Sequence, residues 1–120
     1  MSKTKGGDTL DLNGPEIYKF ALQRVPEAIN EFLKKNNLSM DDIDYFVLHQ
    51  ANEFINKSIQ RLLKIPNQKI FNQMQSTGNT SSSSIPIVLS NNSSKLSKGK
   101  NILLAGFGGG LSWGVCLINK

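Results

Sequence analysis

The single histidine of the chain, His49, follows four apolar residues, Tyr45-Phe46-Val47-Leu48, and leads into Gln50-Ala51-Asn52. A short unbroken apolar run predicts a strand buried on both faces. The imidazole then stands at the carboxyl end of that strand, the edge where open α/β sheets collect their ligands. A ring there can carry a proton or donate a hydrogen bond to a reacting oxygen, although structural, hydrogen-bonded histidines occupy such places too. Thirty positions on, Gly78-Asn79-Thr80 is a turn whose asparagine either supports its own backbone or offers an amide donor. Gly108-Gly109-Gly110 suits a tight hairpin, and bare backbone of this kind also lets N–H groups reach a developing oxyanion. Neither the phosphate-binding loop nor the dinucleotide fingerprint accompanies these glycines. The one cysteine, Cys116, falls inside the last apolar run, which predicts a small buried thiol rather than a nucleophile.

The elements that must hold these groups follow from periodicity. Residues 1–9 read as a polar lead-in, and Leu10 and Leu12 alternate as in a short strand. Asn13-Gly14-Pro15 opens a helix, because proline costs nothing in a first turn. Ile17, Phe20, Ala21, Ala28, Ile29, Phe32 and Leu33 give it one buried stripe to about Lys35, with a kink expected at Pro26. Ser39-Met40-Asp41-Asp42 predicts a capped single turn before the Tyr45–Leu48 strand. A second helix, about Ala51 to Lys64, buries Phe54, Ile55, Ile59, Leu62 and Leu63 and turns Lys57, Arg61 and Lys64 outward. Lys69 to Gln73 predicts a short strand. Ile85, Val88, Leu89 and Leu96 keep helical spacing through a serine- and asparagine-rich stretch, so a third helix is expected there. Residues 101–106 and 111–118 then form a β-hairpin. The fold class is α/β.

Composition bounds the partners. At 120 residues, with 38% hydrophobic and 19% charged residues, the chain is the size of one ordinary globular domain. No apolar run approaches the roughly 20 residues of a membrane span. The polar opening MSKTKGGDTL has no apolar core of a secretory signal, and one cysteine makes no disulfide framework, so a cytoplasmic address is expected. One His and one Cys offer no metal cluster. The net charge of +5 favours an acidic partner; because the lysines are scattered and the aromatics occupy apolar positions, that partner is read as protein and not nucleic acid.

In this order, His49-Gln50-Ala51-Asn52, Gly78-Asn79-Thr80-Ser81 and Ala105-Gly106-Phe107-Gly108-Gly109-Gly110-Leu111-Ser112-Trp113-Gly114 closely resemble the C-terminal part of β-ketoacyl-ACP synthase III, where ACP is acyl carrier protein. The likeness covers about residues 10–120 and implies the C-terminal half of a thiolase-like layered fold, a mixed β-sheet covered by helices. It also implies a decarboxylative Claisen condensation in fatty acid biosynthesis, with acyl-CoA and malonyl-ACP as substrates and no permanently bound cofactor. Of the family's Cys, His and Asn, the last two match His49 and Asn79. Both would stabilise the enolate formed as malonyl-ACP loses CO₂. Asn52 would orient its neighbours, and the Gly109 N–H would face the oxyanion.

The sequence departs from the family in two places. The family's nucleophilic cysteine belongs to its N-terminal half and has no counterpart in these residues, so the 120-residue polypeptide is expected to be inactive alone and to act with a cysteine-bearing half or partner subunit. Where members often carry an arginine for the carrier, this sequence has Phe54, which leaves carrier binding to Lys57, Arg61 and Lys64. A homo-oligomer is expected. Two other readings remain open: a thiolase-fold acyltransferase with another acceptor, and a non-catalytic subunit that completes a split enzyme.

Overall fold

The computed structural model describes residues 14–73 and 78–119. Helix α1, Gly14–Lys35, buries Phe20, Ala21, Val25, Ile29 and Leu33, a stripe that repeats every four residues from Ala21. It runs through Pro26 as one element, although proline removes the donor that Leu22 O would receive. Asn37 ends it in the left-handed region at φ 56°, with Leu38 N–H donating to Leu33 O at 2.9 Å and Asn37 N–H to Lys34 O at 3.2 Å. A 3₁₀ turn follows at Met40–Asp42, where Asp42 Oδ2 accepts from the Ser39 N–H at 2.7 Å.

Strand β1, Tyr45–Leu48, enters the sheet, and α2, Glu53–Leu63, leaves it. After 3₁₀ turns at Asn67–Lys69 and Ser81–Ser83 come α3, Ser84–Asn91, and the hairpin of β2, Asn101–Gly108, with β3, Ser112–Asn119. The described strands lie in the order β1-β2-β3, β1 parallel to β2 in the register Leu48↔Ala105 and β2 antiparallel to β3 in the register Phe107↔Trp113.

Strand alternation sorts the side chains into two cores. Phe46, Leu48, Leu103, Ala105 and Phe107 point to the face covered by α1 and α2. Val47 and Ile102 point to the opposite face, where Val88 of α3 and Leu96 meet them. Helices therefore cover both faces of a mixed sheet, and β1 is dry on each side as its unbroken apolar run requires.

Several expectations need correction. Lys69 to Gln73 forms no strand: it contributes one parallel bridge, Phe46↔Ile70, because the Gln50 side chain takes up the Phe71 carbonyl and the Gln73 N–H. On α2 the buried stripe is narrower than the apolar spacing suggests. Ile55, Ile59 and Leu63 are inside, whereas Phe54 and Leu62 are 63% and 57% exposed. Leu96 lies beyond the end of α3. Cys116 is exposed rather than buried, since it points to the side of β3 that α1 does not cover. The strand expected at Leu10 and Leu12 and the lead-in 1–9 lie outside the described residues.

Candidate functional site

His49 continues the β1 ladder by one bond, its N–H donating to Ala105 O at 2.9 Å, and its carbonyl accepts from Asn56 Nδ2 at 3.1 Å. The backbone is thus held from both sides, and the ring is aimed out of the sheet edge. Nδ1 lies 2.6 Å from Ser84 Oγ at the start of α3, and the Phe107 ring stands edge-on at 5.2 Å between centroids. Burial disfavours the imidazolium and pulls the His49 pKa below its ordinary 6.5. The ring is therefore neutral at physiological pH.

His49 opens onto a cleft of about 950 Å³ that Asn79, Asn52 and Gly109 also line. Asn79 Oδ1 accepts the Ser81 N–H at 2.9 Å, an Asx turn that engages the oxygen and leaves the amide NH₂ as donor. Asn52 caps α2, its Oδ1 accepting from the Ile55 N–H at 2.7 Å; what its side chain fixes is the start of the helix beside His49. Gly109 lies in the turn between β2 and β3. A Cβ at Gly108 or Gly109 would meet no atom within 4 Å, so packing among the described residues does not require glycine at either position. Among the described residues no Asp, Glu, Lys or Arg lines the cleft, and Tyr18 is the one other titratable side chain there. Such a site holds a neutral donor at His49, an amide donor at Asn79 and bare backbone at Gly108 and Gly109, an arrangement that can stabilise negative charge on a ligand oxygen.

Lys57, Arg61 and Lys64 do not join this cleft. They line a separate shallow depression further along α2, where Lys57 Nζ pairs with Glu53 Oε1 at 2.8 Å. Among the described residues no group of three or more His, Cys, Asp or Glu could hold a metal ion, and no helix is long and apolar enough to cross a membrane.

Three site residues escaped the reading of the sequence. Ser84 was hidden in a serine run, Phe107 stood beside the glycine turn, and Gln50 stood at the expected start of a helix. Gln50 is only 1% exposed: its Nε2 donates to Leu48 O at 2.8 Å, and its Oε1 accepts from Gln73 N–H at 2.8 Å. A second polar residue right behind His49, two positions past a buried strand, was the available signal.

Residues 33–120 match the family described as 3-oxoacyl-(acyl-carrier-protein) synthase III, C terminal. The chain is 47% identical over 111 residues to the β-ketoacyl-(acyl-carrier-protein) synthase III of Clostridium perfringens, a match that covers 91% of this chain and 34% of that protein. A 2.1 Å crystal structure of a 3-oxoacyl-(acyl-carrier-protein) synthase III superimposes with a TM-score of 0.87 at 39% identity, over 91% of this chain and 33% of the other. The enzyme of that name from Aquifex aeolicus gives 0.87 at 35% identity, over 92% and 36%. The chain spans about a third of the length of these relatives, and its fold is that of the C-terminal half of the thiolase-like enzymes. It belongs to the C-terminal family of the 3-oxoacyl-(acyl-carrier-protein) synthases III.

Proposed function

We propose that this chain is the C-terminal catalytic part of a β-ketoacyl-ACP synthase III-like acyltransferase of fatty acid biosynthesis, acting in the cytoplasm on acyl-CoA and malonyl-ACP. The observation that carries the reading is the meeting of His49, Asn79 and Gly109 in one cleft that no charged side chain among the described residues lines. In this reading a cysteine on the segment that supplies the rest of the enzyme becomes acylated by acyl-CoA. The malonyl thioester then loses CO₂, and the C–C bonding electrons move onto its carbonyl oxygen as an enolate. His49 Nε2–H and the Asn79 amide donate hydrogen bonds to that oxygen. The enolate carbon attacks the acyl-cysteine carbonyl, whose oxyanion the Gly109 N–H receives, and collapse expels the cysteine thiolate and leaves β-ketoacyl-ACP. Neither side chain must exchange a proton, which agrees with a neutral imidazole. Asn52 orients the start of α2, no permanently bound cofactor takes part, and residues 10–120 act as the domain after a polar lead-in at 1–9.

Lys57, Arg61 and Lys64 are the surface proposed for the acidic carrier. The exposed Trp113 and Leu111 at the hairpin, 48% and 45% accessible, support a covering partner, either the cysteine-bearing half or a second copy in a homo-oligomer. The test is reconstitution. The 120-residue polypeptide alone should form no β-ketoacyl-ACP, and addition of a cysteine-bearing N-terminal segment of the family should restore condensation. Product from the isolated chain, or none from a folded complex that acylates its cysteine, would refute the reading.

A further inference from the structure

We propose that the Ser84 hydroxyl donates a hydrogen bond to His49 Nδ1 and so fixes the imidazole as the Nε2–H tautomer, which makes Ser84 the positioning residue for His49. The argument is one of hydrogen-bond satisfaction. Ser84 is 2% exposed, and its Oγ has two partners: the Gln50 N–H at 3.3 Å and His49 Nδ1 at 2.6 Å. A backbone N–H can only donate, so it occupies a lone pair of Oγ. The hydroxyl proton then has one acceptor within reach, Nδ1. Were Nδ1 protonated instead, Oγ would receive two donors and its own proton would be buried without an acceptor, a penalty of about 1–3 kcal/mol. The imidazole must therefore carry its proton on Nε2, the nitrogen free to serve a ligand.

The geometry also fixes the ring's angle. His49 is tied through its backbone to Ala105 and Asn56, which leaves the side-chain torsions to be set by Ser84 on one side and the Phe107 edge on the other. The consequence for catalysis rests on the condensing role proposed above; the tautomer itself does not.

The test is ¹⁵N-imidazole NMR of the protein, with the His49 signals assigned by their loss in His49→Gln. Nε2 should resonate in the pyrrole-like range and Nδ1 in the pyridine-like range. In Ser84→Ala both shifts should move toward a tautomer average and the pKa of His49 should rise, while Ser84→Thr, which keeps the hydroxyl, should restore the parental spectrum. In the intact enzyme, Ser84→Ala should lower kcat for malonyl-ACP decarboxylation by about 3- to 10-fold with KM unchanged, the rate equivalent of one neutral hydrogen bond. A protonated Nδ1 in the parent, or parental shifts in Ser84→Ala, overturns the proposal whatever the activity. If the spectra are as expected but His49→Ala decarboxylates malonyl-ACP at the parental rate, the condensing role fails and the tautomer assignment stands.

Discussion

Gln50 Oε1 accepts the Gln73 N–H at 2.8 Å across 23 residues of sequence, so the end of β1 and the segment that leads toward Asn79 are joined by one buried side chain. The same amide donates to Leu48 O at 2.8 Å and to Phe71 O at 3.4 Å. Gln50 thus replaces a strand pairing that the sequence of Lys69 to Gln73 does not complete. Gln50→Met keeps the volume and removes the bonds. It should destabilise the protein by about 1–3 kcal/mol, because it leaves buried backbone groups unsatisfied. Denaturant midpoints measure this, and a midpoint equal to the parent's would mean that water replaces the amide without cost.

His49→Ala and Asn79→Ala are expected to abolish condensation while loading of the cysteine continues in the intact enzyme. In the proposed mechanism each removes one donor to the enolate, and loss of such a donor costs about 2.7–4 kcal/mol of transition-state stabilisation. Malonyl-ACP decarboxylation reads this step directly. A double variant that decarboxylates at the parental rate would remove both residues from the reaction.

Gly109→Ala separates packing from function. The new Cβ has open space within 4 Å and Gly109 has no positive φ, so stability should change by no more than about 0.5 kcal/mol. If the Gly109 N–H approaches the substrate closely, the methyl group should still lower kcat/KM. Unchanged kinetics would assign the oxyanion contact to another backbone group.

The stability of the fold should depend on His49 in a defined pH window. Burial lowers the folded-state pKa below the unfolded 6.5, so the unfolded chain binds more protons between those two values. The contribution is fully present above pH 6.5, declines as pH falls through 6.5, and is lost by the folded pKa. Thermal melts of the parent should show this decline, and melts of His49→Gln should lack it. Parallel pH profiles for the two proteins would show that the ring is equally solvated in both states.

The legible part of the molecule was the part encoded locally. Tyr45–Leu48 announces a two-sided strand by its unbroken apolar run, and His49 at its end follows from chain order alone. Asn37, an ordinary polar residue in sequence, marks the end of α1 because asparagine tolerates the left-handed region at little cost. What was hidden depends on contacts between distant segments. Ser84 reaches His49 across 35 residues and looks no different from Ser82 in the sequence. Phe54 satisfies the helical period yet lies outside, stacked on Tyr18 of α1 at 5.3 Å, because periodicity reports a helix face and not what covers its rim. Cys116 misled for the same reason: strand alternation gives two faces, and only packing tells which one is covered.

The basic face of α2 supplies the last prediction. Lys57, Arg61 and Lys64 line one depression that begins about one turn along the helix whose start lies at the cleft, so a carrier docked there could feed its thioester to His49. The variant is chosen to spare the fold. Lys57→Glu and Arg61→Glu reverse charges on exposed positions, while Lys64→Asn removes a charge at φ 55°, where asparagine is at ease. Ile55, Ile59 and Leu63, which anchor the helix, are untouched. Loss of the exposed i,i+4 pair Lys57–Glu53 costs about 0.3–0.5 kcal/mol, and the Glu–Glu repulsion that replaces it costs about as much again. The triple variant should therefore melt close to the parent yet show a raised KM for malonyl-ACP at low salt, with kcat little changed. Attraction between surface charges is screened over roughly 10 Å at 0.1 M ionic strength, so the difference should narrow as salt rises. A KM that is equal to the parent's at low ionic strength would move the carrier to another surface, with Phe54 and Leu62 the next residues to replace.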